Sequence, residues 1–103
     1  MNRRLIMRPE AEDDIADAAV WYQSRRTGLG EEFLAEIDSA VAKVLLNPFQ
    51  CQRLRRKPDV RGFLTKRFPY RIFFVLRPDA VVVFRVLHTS RDEYECENSI
   101  PKT

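Results

Sequence analysis

Histidine occurs once in the 103-residue chain, cysteine twice and glycine three times, and each scarcity removes a class of function. A single histidine, His88, and two well separated cysteines, Cys51 and Cys96, offer no zinc-type ligand spacing, so neither a metal nor a cofactor is expected. Both thiols are expected to be free, as in a reducing compartment. Three glycines cannot make a collagen-like repeat, and the chain has no glycine-rich oxyanion loop or nucleophile elbow. Long apolar runs are missing too. Arg3 and Arg4 are followed by Leu5, Ile6 and Met7 alone, where an export signal needs about seven apolar residues, and no stretch approaches the roughly 20 residues that cross a bilayer. A cytoplasmic protein with no membrane partner is the expectation.

What is present suits one modest globular domain. Hydrophobic residues make up 45% of the chain and charged residues 32%, which argues against disorder. A domain of this size buries about two-thirds of its unfolded surface. The net charge of +3 conceals a segregation: residues 9–38 hold nine acids against Arg25 and Arg26, a net of −7, and residues 53–77 hold nine Arg or Lys against Asp59, a net of +8. Two readings follow. Either the basic half meets an anionic partner, nucleic acid or an acidic protein segment, or the two halves fold together and neutralise one another.

Helical patterning comes first in the chain. Pro9 suits the first position of a helix, and Glu10, Glu12, Asp13 and Asp14 stand where its dipole favours acids. Ala11, Ile15, Ala18, Ala19 and Tyr22 form a narrow apolar stripe. Gly28 is placed for a left-handed cap, and a second helix is expected from Leu29 to Leu46, ended by Asn47 and Pro48. After a basic loop over residues 49–61, the stretches GFLTKRF, YRIFFVLR and AVVVFRVLH read as strands, and RLIMR near the start as an edge strand. The expected fold class is α+β, with an N-terminal helical hairpin on one face of a small antiparallel β-sheet in β-α-α-β-β-β order. Tyr70, Ile72, Phe74 and Leu76 point one way, and Phe73 and Val75 the other. One apolar face is therefore left without a helix, and a partner chain is expected to cover it.

Chemistry has few candidate residues. Cleavage of RNA by its own 2′-hydroxyl needs a proton acceptor, a proton donor and cations near the phosphate, and Arg71, His88, Arg91 and Lys66 could supply them. Arg71 and His88 share a face only if the hairpin between them has an even loop. Pro78 excludes the primed two-residue turn, leaving three or four residues. His88 stands equally as a catalytic group and as a strand-end histidine bonded to backbone. RLRRKPDVRGFLTKRFPYR mixes cations with aromatic rings, a composition able to neutralise phosphates and stack on bases, or simply to be solvated.

The stretches AVWYQSRRTGLGEEFLAEIDSAVAKVLLNP, RFPYRIFFVL and VVVFRVLHTSRD, in that order, resemble the RelE/ParE superfamily of type II toxin–antitoxin toxins, its ParE-like branch above all, over roughly residues 8–92. The resemblance implies one toxin domain over residues 1–92, with an acidic tail of unassigned role over 93–103. It also implies a cognate antitoxin whose disordered acidic segment folds onto the toxin in a hetero-oligomer. Phe73, Val75, Val82 and Phe84 on the uncovered face are the expected antitoxin contacts. ParE-like members inhibit DNA gyrase, with Lys66, Arg67, Arg71, His88 and Arg91 as the contact candidates here. RelE-like members are ribosome-dependent mRNA endoribonucleases, which would cast Arg71 and His88 as the catalytic pair. A third alternative is an inactive module that only binds its antitoxin. The nuclease branch usually adds a tyrosine near the last strand, whereas Tyr94 lies beyond the matched region.

Overall fold

A computed structural model describes residues 3–101, with only the backbone described for residues 92–95. Helix α1 spans Pro9–Arg25 with Pro9 in its first turn, and α2 spans Leu29–Leu46, both as the periodicity predicts. Gly28 takes the left-handed conformation, φ 91°, which a side chain would strain. The helices then close so tightly that a Cβ on Gly30 would stand 2.6 Å from the Ala19 carbonyl oxygen. The Gln23 side-chain oxygen locks the corner by accepting the N–H groups of Gly28 (3.1 Å) and Gly30 (3.2 Å). Among the described residues, no helix is long and apolar enough to cross a membrane.

Five strands follow the order β1-β5-β4-β3-β2: β1 Arg4–Met7, β2 Gln52–Arg55, β3 Val60–Leu64, β4 Tyr70–Leu76 and β5 Ala80–His88. The sheet is mixed where an antiparallel one was expected, because β1 lies parallel to β5. The GFLTKRF stretch is a strand only as far as Leu64. There Thr65 turns the chain back, its N–H donating to Tyr70 O (2.9 Å) and its buried hydroxyl donating to the carbonyls of Phe68 and Tyr70. The β4–β5 turn is also tighter than expected. Arg77 and Ala80 exchange both backbone hydrogen bonds (2.9 and 3.4 Å) around Pro78 and Asp79 alone. No described non-glycine residue has positive φ, so proline is accommodated without the primed geometry that it forbids.

The face under the helices packs Ile72, Phe74, Leu76, Val81, Val83 and Val86 against Phe33, Ile37 and Val44. The opposite face carries Val60, Phe73, Val75, Val82, Phe84 and Leu87, and here the expectation of a bare surface is corrected. The end of the chain forms a third helix, α3, Asp92–Ser99, which packs on β5. Cys96 and Ile100 seal that layer, so the four expected antitoxin contacts Phe73, Val75, Val82 and Phe84 are all buried, 1–2% exposed. The reason is elementary: the run is apolar on both faces, and the chain's own last residues are near enough to cover what the helices leave.

A bulge completes the sheet. Phe74 faces Val83 and Phe73 faces Arg85, so Phe84 and Arg85 together fill one step. The residue that departs from the apolar pattern is Arg85, whose charge needs a partner. It turns to the open edge of β5, donating to both Asp14 carboxylate oxygens on α1 (Nε 2.7 Å, Nη2 2.9 Å) and to Ser99 Oγ on α3 (2.9 Å).

Candidate functional site

The bulge decides which polar groups can act together. An even loop alone would put Arg71 and His88 on one face, but the extra residue reverses the alternation in the second half of β5. Arg71 faces Leu87, on the layer that carries α3, and His88 faces Tyr70, on the layer that carries α1 and α2. The sheet therefore separates the two candidate catalytic residues.

Lys66, Arg67, His88 and Arg91 do collect at one end of the molecule, where the loop after β3 meets the end of β5. Thr89 N–H donating to Pro69 O (2.9 Å) joins the two segments. Glu36 of α2 holds the loop from below, its carboxylate accepting the backbone N–H groups of Lys66 (3.1 Å) and Arg67 (3.2 Å). The Arg67 side chain pairs with Glu32 and lies over the Phe68 ring, and with Arg26 it holds the Glu32 carboxyl below the usual range. Lys66 is exposed and has no ion pair among the described residues. Strand β5 ends at His88, whose Nδ1 accepts the backbone N–H of Ser90 (3.1 Å) and lies 2.9 Å from the Ser90 hydroxyl. This is the geometry of a histidine that closes a turn. The other ring nitrogen, Nε2, makes no hydrogen bond among the described residues.

Beside His88 lies a cavity of about 240 Å³ whose polar lining comprises Asp14, Asp17, Trp21, Tyr70, His88 and Arg91. The His88 ring stands edge-on to Tyr70, centroids 5.4 Å apart. Tyr70 belongs to an aromatic cluster with Tyr22, Phe33 and Phe68. Burial, followed by its contact with Tyr22, pushes the Tyr70 phenol up to about 12. Since the unfolded phenol ionises near 10, the unfolded state loses its proton first as pH rises. Stability contributed by neutral Tyr70 should be intact below pH 10 and lost between about 10 and 12. Phenolate absorbance followed beside denaturant midpoints checks this, and Tyr70→Phe should remove that part of the alkaline loss.

Sequence reasoning missed Asp14, Asp17 and Trp21, which fall off the apolar stripe of α1 like any solvated residues. Arg85 did carry a signal, a charge inside the VVVFRVLH run. Among the described residues, no group of three or more His, Cys, Asp or Glu could hold a metal ion. Cys51 and Cys96 are both buried and form no disulfide, and they lie on opposite faces of the sheet.

The site can present a cationic and aromatic surface to a macromolecule. No curated protein sequence matches. Among solved structures, one described as the chromosomal ParDE TA system from P. aeruginosa has the same fold, with a TM-score of 0.69 and 19% identity, covering 84% of this chain and 95% of that one. The family model of the ParE toxin of type II toxin–antitoxin systems, parDE, matches residues 5–93. Spanning most of the chain, that match makes this protein a member of the ParE toxin family of type II toxin–antitoxin systems.

Proposed function

We propose that the protein arrests growth by binding DNA gyrase, and that a cognate antitoxin silences it in a hetero-oligomer. The observation that carries this reading is the separation of Arg71 from His88 by the sheet, which takes the strand arginine of the nuclease reading away from the one histidine and favours a contact surface over a reaction centre. Lys66, His88 and Arg91 are its centre, with Arg67 partly engaged by Glu32 and Arg71 facing the antitoxin side. The toxin unit is the domain of residues 1–92, and the site of action is the cytoplasm.

Purified protein added to gyrase should lower the supercoiling of relaxed plasmid. Exposed charges at an interface act on both encounter and affinity, so Lys66→Glu with Arg91→Glu should raise the half-inhibitory concentration by about tenfold or more. Full supercoiling at saturating toxin would end this reading. Harmless expression without an antitoxin would point instead to a module that only binds its partner.

A further inference from the structure

The segregated charge of the sequence is neutralised within the chain only in part. Arg67 meets Glu32 and Arg85 meets Asp14. A second group of cations is left over: the segments 3–4, 53–59 and 77–80 hold seven Arg or Lys against Asp59 and Asp79. The Asp59 carboxylate is already taken up by Arg53 (3.2 Å) and the buried Arg61 (3.1 Å). Arg4, Arg55, Arg56, Lys57 and Arg77 have no ion pair among the described residues, and all but the half-buried Arg77 are exposed. Glu97 of α3 lines a cleft with Arg55, yet no ion pair joins the two.

Topology gathers these cations at one end of the sheet. Arg4 stands beside Ala80 and donates its N–H to Asp79 O (3.1 Å), while Arg3 Nε donates to the Arg77 carbonyl (2.9 Å). Farther across, Leu76 N–H donates to Asp59 O (2.8 Å), and Arg55 pairs with Val60, which pairs with Val75. The cations therefore follow the strand ends, with Arg4 on β1, Arg77 just after β4, Arg55 on β2, and Arg56 and Lys57 in the turn beyond. From β1 to β2 is the full width of the sheet, which at about 4.8 Å per strand spacing makes a row roughly 19 Å long. Phe49, exposed in the turn after α2, backs the row: the guanidinium groups of Arg3 and Arg61 each lie 5.2 Å from its ring centroid. His88 faces Tyr70 at the other end of β4, so this row and the Lys66, His88 and Arg91 surface lie at opposite ends of the sheet.

A row of cations that crosses the strands suits a phosphate backbone. An added peptide strand would run along an edge of the sheet, not across its end. Single-stranded nucleic acid takes much of its affinity from successive stacking rings, and beside this row Phe49 is the one exposed phenylalanine among the described residues. Duplex DNA asks for cations alone, offering a phosphate about every 3.4 Å of axis on each strand. We infer that the sheet end formed by Arg4, Arg77, Arg55, Arg56 and Lys57 is a binding surface for the backbone of duplex DNA. The inference goes beyond the gyrase reading and does not need it. Phosphate contacts carry no sequence information, so no preferred site is expected, and DNA held here leaves the Lys66, His88 and Arg91 end open to a protein.

The test titrates the full chain against a fluorescent duplex of about 20 base pairs, read by anisotropy between about 50 and 200 mM salt. Binding should show a salt slope near −4, as for about five neutralised phosphates, and weaken roughly 100-fold or more over that range. Arg55→Gln, Arg56→Gln and Lys57→Gln combined should lower affinity at low salt by about tenfold or more and make the slope shallower by between about 2 and 3. Lys66→Gln, Arg67→Gln and Arg91→Gln combined remove the same charge from the other end and should change affinity by less than about threefold. All six positions are exposed, circular dichroism reports whether each variant is folded, and Arg4→Gln with Arg77→Gln reads the other half of the row independently. Equal losses in the two triple variants, or no binding at low salt, would overturn the inference. So would poly-glutamate or a single strand that binds more tightly than the duplex. Gyrase is absent from this assay, so a toxin that leaves gyrase active does not touch the result, and a duplex that fails to bind leaves the gyrase reading standing.

Discussion

Replacing Asp14 with alanine should destabilise the protein by about 3 kcal/mol, the scale for removing one partner of a largely buried ion pair. The carboxylate accepts two hydrogen bonds from Arg85 and a third from the backbone N–H of Val86 at 2.9 Å, with both side chains under a fifth exposed. Its loss takes the carboxylate away from the Arg85 guanidinium at the edge of β5 and orphans the backbone N–H of Val86 beside the bulge. Asp14→Asn, which keeps one acceptor, should lose less. Urea midpoints with unchanged slope are the measurement, and equal midpoints for wild type and Asp14→Ala would refute the role given to the pair. Because Asp14 also lines the cavity beside His88, the same variant should weaken gyrase inhibition beyond its effect on folding.

Phe33→Ala should cost about 3–5 kcal/mol, the range for deleting a buried aromatic ring. Phe33 is fully buried, stacks on Tyr22 at 5.2 Å and meets Phe68 and Tyr70 edge-on at 5.4 and 5.1 Å. Those rings support the loop of Lys66 and Arg67 from one side and the His88 ring from the other. The cavity should therefore loosen the contact surface as well as the core, and inhibition should fall even where the variant remains folded. Phe33→Leu, closer in volume, should restore most of both. A variant with a lowered midpoint but undiminished inhibition per folded molecule would show that the cluster is structural alone.

The elements themselves were legible because each rests on local rules. Pro9, Gly28 and Pro48 punctuate the helices, and in α2 the apolar residues at helical spacing, Phe33, Ile37, Ala40, Val41 and Val44, are all buried. The alternation in β4 likewise assigns Phe74 and Phe73 to opposite layers correctly. Thr65 was misread as strand because its fate depends on the carbonyls of Phe68 and Tyr70, which a strand pattern cannot see. The β4–β5 turn was misread because proline forbids only the primed two-residue geometry, not the pair of hydrogen bonds that Arg77 and Ala80 make without it.

By itself, then, the sequence determined a two-helix hairpin, a strongly apolar sheet and a division of charge between halves, since periodicity, capping and composition act over a few neighbouring residues. Only the tertiary structure decided what faces what. One bulge at Phe84 and Arg85 put His88 and Arg71 on opposite sides, and a short acidic helix too weak to be read from its own residues closed the second layer. Both outcomes come from contacts between segments far apart in the chain, where a buried charge must find its carboxylate and an apolar surface must find a cover.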